Sequence, residues 1–259
     1  MRVCGHFGEL MQGRVGPKGP VALITLPCPV LWAEATMHPG GFAVYQPTKI
    51  VRRGQVRRLL QQLGLPVTGK FRLRLTMPAG GGAGGSTAAL VALAHAAGAR
   101  NPALIIASVL NVEGASDPLL FAHPERLLWA SRRGEVLADL PALPRFDLIG
   151  GFWGQGQRTE PQDHDFPDIS DLLANWPGKS LARMAGLVTQ SARRTLDLRG
   201  PRNDPTEALM RRTGALGFGI AHTGSARGLI FAPGTVPETA AADLRAAGFS
   251  QITRFSGGG

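Results

Sequence analysis

The feature that most constrains this sequence is a run of small residues between an alternating segment and an alanine-rich segment. In residues 70–77 apolar and polar side chains alternate, which predicts a half-buried strand that Pro78 ends. Five glycines and one alanine then run from Gly80 to Gly85, and residues 86–97 favour a helix. Because glycine weakens helices and strands, the run indicates a loop that allows a ligand close to the backbone.

A loop that leads directly into a helix is suited to binding an anion. The first backbone N–H groups of the helix and its dipole attract negative charge. The hydroxyls of Ser86 and Thr87 suit a phosphate oxygen or a magnesium ion, although Ser86 could instead be only the N-cap of the helix. The residues that we expect to bind the phosphates are Gly80, Gly81, Gly82, Ala83, Gly84, Gly85, Ser86 and Thr87.

Two common phosphate loops fit this run poorly. The Walker A loop requires a lysine before the Ser/Thr, where this chain has Gly85. Gly80, Gly82 and Gly85 match the dinucleotide pattern G-x-G-x-x-G, but the acidic residue expected about 20 positions later is missing until Glu113. A dinucleotide-binding oxidoreductase is therefore an alternative function that rests on the glycines alone.

The rest of the chain alternates between helical and strand patterns, which predicts an α+β fold. Residues 48–63 have the pattern of an amphipathic helix, and Asn101 with Pro102 should cap a helix over 101–112. The last residues, 256–259, are expected to be frayed. Further strands are predicted at 21–35, 145–153, 216–222, 226–231 and 250–255, and further helices at 180–198, 204–213 and 237–247.

The chain is strongly basic, with 28 Lys and Arg against 18 Asp and Glu and a net charge of +10. We interpret this charge as a field that favours anionic small molecules such as nucleotides. A nucleic-acid-binding module is an alternative that rests on the charge alone, and the lack of interleaved aromatic residues disfavours nucleic acid as a partner.

Cysteine content and hydropathy bear on the compartment. The two cysteines, Cys4 and Cys28, show no metal-binding spacing and suit a reducing compartment. No run of about 18 apolar residues occurs, so we expect a cytoplasmic protein that has no membrane partner. The sequence leaves a monomer and a homodimer both open.

Four segments resemble motifs of a known family, and they occur in that family's order. They are Cys-Gly-His-Phe-Gly-Glu-Leu-Met-Gln-Gly at 4–13, the loop at 78–89, Glu-Gly-Ala-Ser-Asp at 113–117, and the segment 219–229 with Ala-His-Thr-Gly-Ser at its centre. Together they resemble the GHMP kinases. Within these, the first, third and fourth segments are similar to motifs of the L-threonine kinases of propanediol utilisation and cobalamin biosynthesis.

The resemblance implies a two-lobed fold and an activity. The N-terminal lobe, residues 1–144, would be of the ribosomal S5 domain 2-like kind and carry the phosphate loop, and residues 145–259 would form a ferredoxin-like lobe. The cofactors would be ATP and Mg²⁺, and the acceptor a small hydroxylated metabolite, L-threonine or a related amino-acid alcohol. A nucleotide-dependent decarboxylase or a degenerate, non-catalytic member of the superfamily is the alternative.

The acidic segment supplies the candidate catalytic and metal-binding residues. Asp117 is the candidate base that takes the proton of the acceptor hydroxyl; alternatively it caps a helix that begins at Pro118. Glu113 is a candidate magnesium ligand together with Ser86, since magnesium prefers oxygen ligands. The four-residue spacing could bring Glu113 and Asp117 into one pocket.

The first and last motifs supply the candidate substrate-binding residues. Glu9 lies in a glycine-flanked segment that we interpret as a turn, where it would orient the substrate or stay in solvent. His222, Gly224 and Ser225 belong to a turn that should approach the phosphate end or the substrate, although His222 alone could be a core histidine. The glycine loop lacks a lysine, and arginines elsewhere could supply the missing charge.

Overall fold

The computed structural model of the 259-residue chain describes residues 1–156, 160, 162–222 and 224–259. Within these residues ten strands form one sheet. The strands are β1 (Arg2–Arg14), β2 (Val21–His38), β3 (Ala43–Tyr45), β4 (Lys70–Leu75), β5 (Leu127–Ala130), β6 (Glu135–Asp139), β7 (Phe146–Phe152), β8 (Gly217–Ile220), β9 (Ala226–Phe231) and β10 (Ser250–Gly257). The helices are α1 (Arg53–Gln62), α2 (Gly85–Ala96), α3 (Pro102–Glu113), α4 (Ser170–Leu173), α5 (Leu181–Arg199), α6 (Thr206–Thr213) and α7 (Ala240–Ala246), with a 3₁₀ turn at Pro124–Arg126.

The sheet runs in the order β10-β7-β9-β8-β1-β2-β4-β3, and β5 pairs with both β2 and β6. The pair β3–β4 is parallel and the other pairs are antiparallel. In the middle of the sheet β1 pairs with β8 at Glu9 and Ile220, which joins strands from the two halves of the chain. Helices packed on a mostly antiparallel sheet confirm the predicted α+β class.

Helix α2 is buried along most of its length. Each residue from Thr87 to Ala94 is buried, and the helix contacts β1, β2 and β4. The small alanine side chains allow this close packing, because they leave room for neighbours on every face. The helix that follows the glycine loop is therefore held rigidly against the sheet, and this fixes the position of the loop.

Aromatic residues from both halves of the chain meet in the core. Phe7 of β1 lies edge-on to Phe152 of β7 with ring centroids 5.5 Å apart, and to Phe255 of β10 at 5.9 Å. Such edge-to-face pairs stabilise a core beyond the area that they bury. The predicted lobes, residues 1–144 and 145–259, thus share one sheet and the larger of two hydrophobic clusters, while the smaller cluster lies within residues 145–259.

Several predicted boundaries differ from the structure by a few residues. The helix predicted for 48–63 begins only at Arg53, because Gln46 Oε1 accepts hydrogen bonds from the backbone of Ile50 and Val51 and holds that segment in a loop. The helix predicted for 237–247 begins at Ala240. The expectation of a frayed C-terminal segment is wrong, since β10 pairs with β7 as far as Gly257.

Strands β1, β3, β5 and β6 are absent from the sequence predictions. The first of them shows no alternation, because every residue from Gly5 to Gly13 is buried and β1 contacts both α2 and α5. A strand that is covered on both faces loses the period of two on which such predictions depend. None of the helices in the described residues is long and apolar enough to cross a membrane.

Candidate functional site

One cavity of about 310 Å³ brings together residues that are far apart in the sequence. All eight predicted loop residues line it, and so do Glu9, Glu113, Asp117 and His222. The strand β1, the start of α2 and the end of α3 thus converge on one place. The expectation that Glu113 and Asp117 reach one pocket is confirmed.

The glycine loop has a conformation that glycine readily adopts. Gly80 and Gly82 each have φ near +70°, and Gly84, the N-cap of α2, has φ +66°. These angles lie in the left-handed region, which disfavours residues that carry a Cβ. Because Gly84 is the N-cap, the alternative in which Ser86 only caps the helix is wrong. The loop presents the N-terminus of α2, where backbone N–H groups lack intrahelical partners, to the cavity.

Ser86 and Glu113, the two candidate magnesium ligands, are in direct contact. The Ser86 hydroxyl donates to Glu113 Oε1 at 2.5 Å, and Gln55 Nε2 donates to the same oxygen at 2.9 Å. A hydroxyl and a carboxylate beside a phosphate loop form the oxygen-rich set that Mg²⁺ prefers. Their arrangement fits this ion.

Glu9 and Asp117 lie on either side of His6, a residue that the sequence analysis did not single out. His6 Nδ1 lies 3.5 Å from Glu9 Oε1, and His6 Nε2 lies 3.5 Å from Asp117 Oδ2. The side chains of His6 and Glu9 are 3% and 7% exposed, so this group is shielded from water. His6 belongs to the first motif. Because that segment was interpreted as a turn, the sequence did not predict that His6 is buried.

The alternative interpretations of Glu9 as a solvent-exposed turn residue and of Asp117 as a helix cap are both wrong. Glu9 belongs to the buried strand β1, so it is not a turn residue in solvent. Asp117 does not cap a helix, since residues 118–123 form turns and bends. Instead, the Thr87 hydroxyl at the start of α2 lies near enough to Asp117 to lower its pKa.

Burial and charge act in opposite directions on these three groups. Burial raises the pKa of Glu9 to about 8, with His6 opposing the shift. Burial would also raise the pKa of Asp117, but the adjacent His6 outweighs it and the pKa lies below its ordinary value. Burial lowers the pKa of His6, yet the two carboxylates outweigh it and raise the pKa to about 9.

Arg132 is a further residue of the cavity that no motif indicated. It follows the unpredicted strand β5, and its guanidinium donates to Ser131 Oγ at 3.0 Å and to the backbone oxygens of Glu160 and Asp163. Burial keeps its pKa below the usual value. The arginine brings a positive charge to the cavity and lies near enough to Asp117 to influence its pKa.

His222 both lines the cavity and packs in the core. Its ring stacks on Phe166 with centroids 3.8 Å apart, and Nδ1 lies 3.5 Å from Thr195 Oγ1. Burial, with help from nearby Arg199, lowers the pKa of His222 to about 3. The imidazole is therefore neutral at physiological pH.

Gly224 and Ser225, the other predicted substrate-binding residues of the last motif, are not among the residues that line the cavity. Gly224 packs so closely on Gly82 that a Cβ on Gly224 would overlap the backbone of the loop. Ser225 is buried, and the next residue, Ala226, donates its N–H to Gly81 O at 2.9 Å. Thr223, in the same predicted turn, lies outside the described residues. The turn thus supports the loop from behind.

Solved structures similar to this chain include several kinases and a phosphotransferase. The chain aligns over 99% of its length with 99% of a phosphotransferase related to the CoA biosynthesis pathway, with a TM-score of 0.65 and 13% identity. A mevalonate kinase aligns with 99% of this chain over 97% of its own, with a TM-score of 0.65 and 11% identity. A protein assigned as homoserine kinase from Listeria monocytogenes aligns with 98% of this chain over 94% of its own, with a TM-score of 0.64 and 16% identity.

These structural neighbours are GHMP-family kinases, and the expected fold is confirmed over the whole chain. No family model matches the sequence. No curated protein matches it either. The likeness therefore shows the GHMP kinase fold.

Proposed function

We propose that this protein is an ATP- and Mg²⁺-dependent kinase that transfers the γ-phosphate of ATP to a hydroxyl of a small metabolite. The observation that carries the proposal is the meeting of the glycine loop, the Ser86–Glu113 pair and Asp117 in one cavity. Phosphoryl transfer needs mainly positioning and charge neutralisation, and these three features supply both.

Each group has a distinct task. The loop residues from Gly80 to Thr87 and the N-terminus of α2 bind the phosphates through backbone N–H groups. Ser86 and Glu113 would hold Mg²⁺, which neutralises charge on the phosphates when it is bound. Asp117, whose low pKa keeps it ionised, accepts the proton of the attacking hydroxyl.

The lining of the cavity also favours a class of acceptor. A volume of about 310 Å³ suits a small molecule, and Arg132 offers a cation to a carboxylate. Glu9 and Gln12 offer polar contacts from β1, and Phe166 offers an apolar face. A hydroxylated amino acid such as L-threonine, or a related amino-acid alcohol, has the groups that this lining would recognise.

The dinucleotide-binding alternative loses its structural basis. In the described residues the strand before the loop, β4, pairs antiparallel with β2 and parallel with β3, and both of these strands precede β4 in the chain. The dinucleotide fingerprint instead belongs to a βαβ unit in which the helix after the loop leads to a parallel neighbouring strand. The proposed kinase would work in the cytoplasm, and the free thiols of Cys4 and Cys28 suit that reducing compartment.

The test is ADP release from Mg²⁺-ATP with a panel of amino-acid and sugar alcohols that includes L-threonine. We expect turnover with one acceptor, and we expect Asp117→Asn to lower kcat by about 10²–10⁴-fold because the proton acceptor is lost. ATP affinity, measured by calorimetry, should stay within about threefold of wild type, since the loop is untouched. Asp139→Asn, at an exposed aspartate of β6, is the matched control and should be fully active.

The outcomes separate the alternatives. Failure to bind ATP at all would contradict the proposal. ATP binding without turnover of any acceptor would favour a degenerate member, and full activity of Asp117→Asn would remove Asp117 from the mechanism.

A further inference from the structure

His6 touches the glycine loop, although it belongs to a distant part of the sequence. Its backbone N–H donates to Ala83 O at 3.1 Å, and a Cβ placed on Gly84 would lie 2.5 Å from His6 Cδ2. The loop itself consists of glycine and alanine and carries no charged side chain. The imidazole is thus the ionisable group in contact with the backbone that faces the proposed phosphates.

Both ring nitrogens of His6 face hydrogen-bond acceptors. Nδ1 is hydrogen-bonded to Gly8 O at 3.1 Å and lies 3.5 Å from Glu9 Oε1, while Nε2 makes no hydrogen bond within the described residues and lies at ion-pair distance, 3.5 Å, from Asp117 Oδ2. A neutral imidazole has one donor nitrogen and one acceptor nitrogen. Either neutral tautomer would therefore place a lone pair against an oxygen, and only the doubly protonated ring can donate on both sides.

The same three side chains could also be considered as a metal site, since their ligand atoms lie within 4.8 Å of one another. The arrangement around the ring argues against this interpretation. A metal-bound histidine presents one nitrogen to the ion, while Glu9 and Asp117 here lie at opposite nitrogens. The geometry matches a protonated ring that faces Gly8 O and Glu9 at Nδ1 and the Asp117 carboxylate at Nε2.

We propose that His6 is a fixed imidazolium that positions Asp117 and keeps it ionised. The proposal rests on the proposed kinase function for its catalytic consequence, but the protonation state stands on the structure alone. His6 acts through Asp117 and is therefore a positioning residue.

The electrostatic surroundings of His6 support this role. The charged groups facing it are Glu9, from its own strand, and Asp117, from the segment after α3, and together they raise its pKa to about 9 despite burial. Asp117 is also influenced by Arg132 and by the Thr87 hydroxyl. Burial alone would raise the pKa of Asp117, so removing the imidazolium should bring back part of that rise.

The first experiment measures the protonation of His6 in the unliganded protein by ¹⁵N NMR of the imidazole, with the signal assigned through the backbone. We expect the spectrum of a doubly protonated ring at pH 7.5, with loss of a proton only near pH 9. A singly protonated ring at pH 7.5 would overturn the proposal. This measurement requires neither ATP turnover nor a variant that folds. Its outcome therefore does not depend on whether the proposed kinase function is correct.

The second experiment measures pH profiles of kcat/KM for His6→Gln and His6→Lys. In His6→Gln we expect the acid limb to move up by about one pH unit or more and kcat to fall about 10–100-fold, with the KM for ATP within about threefold. His6→Lys should restore the position of the acid limb, because it restores the charge. An acid limb that stays unchanged in His6→Gln would overturn the proposal, and His123→Gln, at an exposed histidine, is the control.

Discussion

At the scale of single residues, the cavity contains two buried histidines with opposite electrostatic behaviour. His6 lies between two carboxylates, and its pKa is raised to about 9. His222 lies near Arg199 and Arg132, and burial together with these cations lowers its pKa to about 3. The neighbouring charges, and not burial alone, decide which histidine is a cation.

This difference predicts how acid should affect stability. The folded-state pKa of His222 is about 3 and the unfolded value about 6.5, so its contribution to stability is present above pH 6.5 and is lost as the pH falls toward 3. At pH 5 the loss should be about 2 kcal/mol. Replacing the ring in His222→Phe keeps an aromatic face on Phe166 and removes the titration.

The free energy of unfolding, measured in urea at pH 7 and pH 5, tests this prediction. The decrease between the two pH values should be smaller in His222→Phe than in wild type by about the same 2 kcal/mol. His123→Phe, at a histidine whose side chain is 60% exposed, is the control and should behave as wild type does. An identical decrease in His222→Phe would show that His222 is protonated in the folded protein.

At the scale of elements, the glycine loop depends on the turn between β8 and β9 behind it. Gly82 has φ +70°, and a Cβ at this position would overlap Ala221 Cβ and lie 2.9 Å from Gly224 Cα. The hydrogen bond from the backbone N–H of Ala226 to Gly81 O holds the turn and the loop together. The loop and the turn therefore form one packed unit, and either can disturb the other.

Gly82→Ala should disturb both stability and nucleotide binding. We expect the free energy of unfolding to fall by about 1–3 kcal/mol, since the left-handed backbone and the overlap both oppose a Cβ. The Kd for ATP, measured by calorimetry, should rise about tenfold or more as the loop shifts. Gly186→Ala, in open space within α5, is the control and should stabilise by about 0.5–1 kcal/mol.

If Gly82→Ala bound ATP as tightly as wild type, the loop would not be the nucleotide site. Unchanged stability would mean that the loop can relax without cost.

At the scale of the whole molecule, the two predicted lobes are joined through the middle of the sheet. β1 is flanked by β2 from the first half of the chain and by β8 from the second half. Phe7 of β1 contacts Phe152 and Phe255, both from the second half. Because the lobes share one sheet and the larger of the two core clusters, each buries part of its apolar surface against the other, although a smaller cluster lies within the second lobe.

We therefore expect the chain to unfold in one cooperative step, although the resemblance divides it at residue 144. Hydrogen exchange in increasing urea should give backbone amides of β2 and β7 the same opening free energy, because both open only when the common core opens. If the opening free energy of β7 were lower than that of β2 by more than about 1 kcal/mol, the two lobes would be independently stable. In that case unfolding in urea, followed by far-UV circular dichroism, should also show two transitions.

Local sequence patterns determined part of this protein. The alternation before Pro78 predicts β4, the run from Gly80 to Gly85 predicts the loop, and Asn101 with Pro102 predicts the start of α3. Each is a property of neighbouring residues, since side-chain alternation, the freedom of glycine and helix capping act over a few positions. The motif order also predicted the fold that the structure shows.

Only the tertiary structure decided what surrounds these elements. β1 carries His6 and Glu9, and its pattern is hidden because neighbours on both faces bury it. The contact of Ser86 with Glu113, and the placing of His6 between Glu9 and Asp117, join residues whose sequence spacing implies no contact. Protonation follows from these contacts, because a pKa depends on burial and on charges brought close by the fold. The sequence alone thus determined the loop and the helix behind it, and the packing of β1 against them decided the chemistry of the cavity.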